Sequence, residues 1–149
     1  MTNIDKVTFL TPKIAVKGFM TPRGLRIVKA MGFASVINLM PQAASALEDI
    51  PEKDLANRVR AYGLEYRKLS VNSVFEIDED LIERFKDTVE EVPQPTVIFS
   101  RTGRRAVTLW ALAMQNAMNW DELTTKASRA GFDISQIIID EELSGSRAA

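Results

Sequence analysis

Apolar positions along the chain follow two alternating periods, which predicts strands and helices in turn. Short runs rich in β-branched residues, typical of strands, occupy residues 7–10, 14–17, 34–39, 64–69 and 96–99. Between and after these runs, the apolar positions recur three or four residues apart, as on one face of a helix. Helices are predicted at residues 21–32, 51–63, 79–92, 105–114, 121–130 and 134–143.

This alternation of strands and helices predicts an α/β fold with a mostly parallel sheet flanked by helices on both faces. No repeat, low-complexity tract or linker divides the chain. Residues 1–149 are therefore expected to form a single domain, with residues 144–149 as a disordered tail. In such folds ligands bind beyond the carboxyl ends of the strands, so the turn after residue 99 is the first candidate for a site.

Composition narrows the available chemistry, because the 149 residues include no cysteine and no histidine. Disulfides, thiol nucleophiles, histidine acid–base catalysis and ordinary zinc sites are thereby excluded. No cluster of residues indicates a metal or an organic cofactor. The 19 basic and 20 acidic residues leave a net charge of −1, which disfavours general binding to nucleic acid or to an acidic membrane.

Location and assembly are predicted only in outline. The first six residues lack the basic and apolar regions of a signal peptide. No apolar run approaches the roughly 20 residues that span a bilayer, so a cytoplasmic protein is expected. The apolar positions Ile134, Ile137 and Ile138 are expected to dock on the sheet, and an exposed arrangement of them would form a homodimer surface.

Residues 100–105 (SRTGRR) combine a glycine turn, the start of a helix and three arginines without a nearby acid. Backbone N–H groups of such a turn point into one cradle for an oxyanion, and an arginine adds a two-pronged charged contact. Gly103 permits the backbone conformation that the turn needs. Arg105 is expected to fold back over the cradle, whereas Arg101 and Arg104 form an outward positive rim. Three cations oppose the dipole at a helix N-terminus, which is unfavourable unless an anion binds there.

Two parts of the sequence resemble a known family. Residues 96–106 (TVIFSRTGRRA) and 108–112 (TLWAL) are similar to the phosphate-loop signature of the bacterial phosphatase-like domain named after beta-lactamase hydrolase-like proteins. That signature is a strand, then roughly Cys-Arg-Ser-Gly-Thr-Arg-Ser, then a helix containing Leu-Trp-Ala-Leu. The N-terminal half agrees at residues 16–18 (VKG), 21–22 (TP), 32–33 (GF) and 36–39 (VINL). The resemblance spans about residues 7–117. It implies the fold of protein tyrosine and dual-specificity phosphatases and cysteine-dependent hydrolysis of phosphate esters.

Departures from the family pattern bear directly on activity. Ser100 occupies the position of the nucleophilic cysteine, and a serine hydroxyl is not converted to its anion as a thiol is. Phe19 and Met40 stand where Gln and Arg are common, and Phe99 replaces the His that often precedes the nucleophile in tyrosine phosphatases. Hydrolysis is therefore expected to be lost or very weak. An engineered Cys-to-Ser change needs only one substitution, so the additional departures favour a natural loss of the nucleophile.

The spacing within the loop leaves the preferred anion open. Four residues separate Ser100 from Arg105, whereas familiar tyrosine phosphatases have five and many rhodanese-like sulfurtransferases have four. Sulfur transfer also requires a cysteine and is expected to fail for the same reason. Phosphate, sulfate or a thiosulfonate would each suit the shorter cradle.

Other polar groups have simpler interpretations. Glu76, Asp78 and Asp80 lie where dual-specificity phosphatases place a general acid, and Asp78 is the best positioned of the three. Capping of the helix that begins near Glu79 is the favoured interpretation of Asp78. A carboxylate that assists direct attack by water would support at most a weak hydrolysis.

Two further groups are expected to be structural. Trp110 lies on the apolar stripe of its helix and is expected in the core. The basic residues around Gly63 are interrupted by Glu65 and are expected to form a solvated face; they are Arg58, Arg60, Arg67 and Lys68.

Several functions stay open at this point. In the favoured one, a phosphatase-like domain binds phosphate, sulfate or a phosphorylated ligand through the Ser100 hydroxyl, the N–H groups of residues 102–105 and the Arg105 guanidinium. A second is a protein-interaction module that presents the arginine rim to an acidic or phosphorylated partner. A third is an active hydrolase whose natural chain has cysteine at position 100. A rhodanese-like relative is the fourth.

Overall fold

The computed structural model describes residues 6–41, 52–72 and 77–134. Within them, five strands and five helices follow one another in the predicted alternation. They are β1 (Thr8–Thr11), β2 (Ile14–Lys17), α1 (Pro22–Ala30), β3 (Ser35–Asn38), α2 (Glu52–Ala61), β4 (Glu65–Lys68), α3 (Glu79–Glu91), β5 (Thr96–Phe99), α4 (Arg104–Met114) and α5 (Trp120–Arg129).

The strands form one sheet in the order β1-β2-β5-β3-β4. Strands β2, β5, β3 and β4 are parallel, and β1 pairs antiparallel with β2 at one edge. The predicted α/β fold with a mostly parallel sheet is therefore confirmed. Every residue of the central strand β5 is buried, as its continuous apolar run indicates.

Helices cover both faces of this sheet. Residues that alternate along a strand point to opposite faces, so Val97 joins one core and Ile98 the other. The Val97 core contains the apolar residues of α1 and α2. The Ile98 core contains those of α3, α4 and α5, and Trp110 is buried within it as predicted. Parallel strands are stable only when covered in this way, because both of their faces are apolar.

Element boundaries differ from the predicted ones by one or two residues. The strands predicted at 34–39 and 64–69 are Ser35–Asn38 and Glu65–Lys68, because the end residues of each apolar run already enter the connecting loops. Helix α4 begins one residue earlier than predicted, directly after the left-handed residue Gly103. Of the helix predicted at 134–143, Ile134 is buried and the remaining residues lie outside the described part, as do Pro51 and the tail.

Side-chain caps start three of the helices. Thr21, Asp78 and Asn119 each accept a hydrogen bond from the N–H group three residues ahead, at the starts of α1, α3 and α5. No side chain caps α4, which follows Gly103. Among the described residues, no helix combines the length and the apolar character that crossing a bilayer requires.

Replacing Asp78 with alanine should lower the free energy of unfolding by about 1 kcal/mol, because the Leu81 N–H loses its acceptor. Asp78→Asn is the matched control and should retain most of that stability, since asparagine caps helices about as well. Urea denaturation of the two variants and the parent chain measures the difference. Equal losses in both variants would show that the hydrogen bond to Leu81 is not the stabilising contact.

Candidate functional site

The loop at residues 100–105 leaves the carboxyl end of β5, and backbone hydrogen bonds hold it on both sides. The Ser100 N–H donates to the carbonyl of Lys17 at the end of β2 (3.3 Å). On the other side, the Leu39 N–H donates to the Phe99 carbonyl (2.9 Å). The Phe19 N–H donates to the Arg101 carbonyl (3.1 Å), so that the turn after β2 supports the outer part of the loop.

Lys17 contributes its side chain to the same support. It is almost completely buried, and its ammonium group donates to the carbonyls of Gly18 and Phe19. These contacts fix the turn after β2, in which the Phe19 N–H donates to the Arg101 carbonyl. The sequence alone did not assign Lys17 a role, because its neighbours in the chain give no sign that a lysine there is buried.

The Ser100 hydroxyl lies at the centre of the loop, and Ser100 as a whole is 3% exposed. Its oxygen accepts the N–H of Gly103 (3.1 Å) and the N–H of Ala106 (3.4 Å, a long contact). Two main-chain donors, one at the N-cap of α4 and one in its first turn, therefore converge on the atom at the nucleophile position. An anionic side-chain atom at position 100 would receive the same donors.

Gly103 is required at its position for two reasons. Its φ of 89° lies in the left-handed region that favours glycine. A Cβ atom there would lie 3.1 Å from the ring of Phe132 and 3.3 Å from the backbone of Lys17. The space beside Gly103 is consequently filled by the end of β2 and by the segment after α5.

The first turn of α4 points further N–H groups towards the loop. Because no side chain caps this helix, its first-turn donors depend on the loop, on solvent or on a ligand. Ala106 bonds to Ser100, and the Arg104 N–H has a long contact of 3.4 Å to the Thr102 hydroxyl. Among the described residues, the Arg105 N–H has no acceptor and is available to an anion.

The three arginines of the loop differ in exposure. Arg105 is half-buried, and its Nη1 donates to the carbonyl of Val71 (2.8 Å), which holds the guanidinium across the site. Arg101 and Arg104 are exposed. Within the described ranges, no carboxylate oxygen lies within 4.0 Å of either of them, so both positive charges remain uncompensated by the protein there.

A cavity of about 350 Å³ opens beside the loop. Its lining includes the three arginines with Ser100, Thr102 and Thr108, and also Leu39, Pro41, Asn72 and Ile77. No carboxylate is among these described lining residues. The cavity thus combines positive charge with apolar surface, and it is larger than a single phosphate needs.

The upstream carboxylates do not line this cavity in the described structure. Asp78 is exposed and accepts the Leu81 N–H as the cap of α3, in agreement with the favoured interpretation. Asp80 pairs with Arg84 on the surface of the same helix (3.2 Å). Glu76 lies outside the described residues. A role of Asp78 as general acid stays a prediction without a contact that supports it.

Two contributors to the site are backbone groups that the sequence analysis did not include. Ala106 is the third residue of α4, and the rule that first-turn amides lack partners inside the helix would have identified it. The Val71 carbonyl comes from the segment after β4, and no sequence signal marks it. Among the described residues, no three metal-binding side chains come together.

Known structures share this fold. A candidate phosphatase from Neisseria meningitidis Z2491 superposes with a TM-score of 0.76 at 18% identity, covering 87% of this chain and 91% of that chain. A second, from Shewanella putrefaciens CN-32, gives 0.65 at 18% identity, with 80% and 76% covered. A kinase associated phosphatase with serine substituted for its catalytic-site cysteine gives 0.62 at 9% identity, with 78% and 72% covered. At these identities the likeness establishes the fold alone.

Sequence comparison identifies the family directly. No curated protein is similar enough to match the chain. The family model for the phosphatase-like domain of beta-lactamase hydrolase-like proteins matches residues 6–117, close to the span expected from the loop signature and the N-terminal motifs. That match covers well over half of the 149 residues and includes every strand of the sheet. The chain therefore belongs to the beta-lactamase hydrolase-like phosphatase-like domain family.

Proposed function

We propose that the loop at residues 100–105 binds a phosphate-like oxyanion and that the chain hydrolyses phosphate esters very slowly or not at all. The observation that carries the proposal is the uncapped start of α4, where the Arg105 N–H has no acceptor among the described residues, beside a cavity whose described lining includes three arginines and no carboxylate. Arg105, held by the Val71 carbonyl, supplies a charged partner for the anion. Loss of turnover follows from the residue at position 100.

Serine removes the step on which cysteine phosphatases depend. In those enzymes, backbone donors and the helix N-terminus lower the pKa of a thiol until the thiolate predominates. The same donors act here on a hydroxyl, whose pKa is far higher, so they do not produce an anion at neutral pH. No histidine exists to serve as a base, and no carboxylate lines the described part of the cavity. The loop therefore functions as a receptor for anions.

The cavity indicates the kind of ligand. A phosphate monoester carries nearly two negative charges at neutral pH and would be drawn to the loop donors and to Arg105. Arg101 and Arg104 add positive charge around the entrance. The apolar side chains of the lining, Leu39, Pro41 and Ile77, would contact an organic group attached to the phosphate. A phosphorylated organic ligand fits this arrangement better than free inorganic phosphate does.

Two alternatives rest on specific observations. An active cysteine-dependent hydrolase would need the same loop with cysteine at position 100, and the described contacts around Ser100 suit a thiolate equally well. A protein-interaction module would use the exposed Arg101 and Arg104 against an acidic or phosphorylated partner. Sulfur transfer of the rhodanese type would again need a cysteine at position 100.

Replacing Arg105 with lysine should weaken phosphate binding about tenfold, because lysine keeps the charge but loses the forked contact. Titration of the isotope-labelled chain with inorganic phosphate, followed by NMR at the amides of the loop, measures the affinity. Arg26→Lys, an exposed change on α1, is the matched control and should leave the affinity unchanged. An Arg105→Lys variant that binds phosphate as well as the control would contradict the assigned role.

The substitution Ser100→Cys tests the machinery around the nucleophile position. We expect no turnover of an aryl phosphate by the chain with Ser100 and measurable turnover by the cysteine variant. The thiol pKa of that variant should fall below the ordinary value of about 8.5, because two N–H groups and the helix N-terminus stabilise the thiolate. The pH dependence of alkylation by iodoacetamide reports that pKa, and Ser100→Ala is the control for background hydrolysis.

The outcomes separate the alternatives. Rapid hydrolysis by the chain with Ser100 would overturn the proposal that turnover is lost. A cysteine variant with an ordinary thiol pKa would show that the loop donors do not stabilise an anion. Sulfur transfer from thiosulfate by the cysteine variant, without phosphatase activity, would favour the rhodanese-like alternative.

A further inference from the structure

A second basic cavity lies between α2 and the edge strand β4. It has a volume of about 470 Å³, and we call it the α2–β4 groove. Its polar lining residues are Lys53, Asn57 and Arg60 from α2 and Tyr66, Arg67 and Lys68 from β4. The helix residues are spaced four and three apart, so they share one face, and alternate strand residues such as Tyr66 and Lys68 do so as well. The groove is therefore a defined surface where a helix face meets a strand face.

Four of these side chains are cationic, and no carboxylate is among the described lining residues. Arg67 forms ion pairs with Glu65 and with Glu91 of α3. Helix α3 packs on the opposite face of the sheet from α2, so Glu65 and Glu91 neutralise the charge of Arg67 on the face away from the groove. Lys53 and Arg60 form no ion pair within the described residues, so they leave positive charge in the groove of a chain whose overall charge is −1.

Arg60 is positioned in advance for an anion. Its guanidinium lies over the ring of Tyr66, 5.7 Å from the ring centre. Tyr66 is itself buried, and its hydroxyl accepts a hydrogen bond from Asn38 (3.0 Å), which fixes the ring. Stacking on a ring face orients a guanidinium without using its N–H donors. Within the described part of the chain, those donors form no hydrogen bond and no ion pair.

Strand register relates the groove to the loop. Lys68 is paired with Asn38, and Asn38 is paired with Phe99, the residue before Ser100. These three residues form a row across the carboxyl edge of the sheet. Neighbouring strands lie about 4.8 Å apart, so the Lys68 end of the groove lies about 10 Å from the start of the loop.

We propose that the α2–β4 groove is a second binding site for phosphate-like anions, with Arg60 as its principal donor. The basic residues around Gly63 thus form more than the solvated face that the sequence suggested, because Arg60, Lys68 and Lys53 converge on one groove. Inorganic phosphate is the simplest ligand of this class. Pyrophosphate has more oxygen acceptors and can therefore accept from several of the groove's donors at once. The proposal stands independently of anion binding at residues 100–105. A ligand that carries two phosphate groups about 10 Å apart would additionally require the loop to bind as proposed above.

The test uses the full, isotope-labelled chain titrated with inorganic pyrophosphate and followed by NMR. Amides of α2 and β4 should shift separately from those of the loop and should show their own affinity, which weakens as salt is raised. Arg60→Gln should weaken binding at the groove about tenfold, because it removes charge-assisted hydrogen bonds. Arg58→Gln is the matched control: it removes the same charge from an exposed position of the same helix, outside the groove. We expect it to weaken binding less than about threefold.

The other outcomes decide whether the α2–β4 groove is a binding site. Equal weakening by Arg58→Gln and Arg60→Gln would show a diffuse surface potential and would overturn the proposal of a site. Shifts confined to residues 100–106 would overturn it as well. Arg105→Lys should leave the shifts in α2 and β4 unchanged, so a failure of the loop proposal is distinguishable from a failure of the groove proposal. Circular dichroism of each variant confirms that exposed substitutions leave the fold intact.

Discussion

The structure depends on how β5 ends. This strand lies at the centre of the sheet. The carbonyl of its last residue, Phe99, accepts a hydrogen bond from the Leu39 N–H on one side. The N–H of the next residue, Ser100, donates to the Lys17 carbonyl on the other side. The chain must then turn immediately from a buried strand into a buried helix. The turn satisfies its own donors by directing them inwards, towards the Ser100 oxygen. A centre of converging N–H groups is thus a direct result of joining β5 to α4 over so short a distance.

The same constraint applies to either residue type at position 100. Serine and cysteine have similar shapes, and a hydroxyl accepts hydrogen bonds from the loop amides as a thiolate would. The contacts that stabilise the turn therefore do not distinguish a catalytic residue from a structural one. The shape of the loop depends on its backbone groups and does not by itself require a nucleophile.

Much of this was predictable from the sequence. Periodicity placed every described strand and helix to within two residues, and the glycine in residues 100–105 marked the turn correctly. Capping chemistry identified Asp78 as a helix cap. Such features are local, because the residues that cause them lie within a few positions of their effect.

The features that escaped prediction depend on contacts between distant parts of the chain. Val71 holds Arg105 through a carbonyl, and every residue type has one, so the sequence carries no mark of it. Arg60 and Tyr66 are six positions apart and meet only because α2 packs back onto β4. The burial of Lys17 likewise follows from the position of β2 beside β5, and not from its own neighbours.

The ring of Phe132 against Gly103 has a consequence for the limits of the folded unit. Phe132 lies beyond residue 117, where similarity to the family ends, yet it closes one side of the glycine turn. Leu123 and Ala127 of α5 also belong to the core beneath α4. The end of the sequence similarity therefore does not coincide with the end of the packed core. A chain cut at residue 117 would keep the loop motif but lose residues that pack against it and hold its shape.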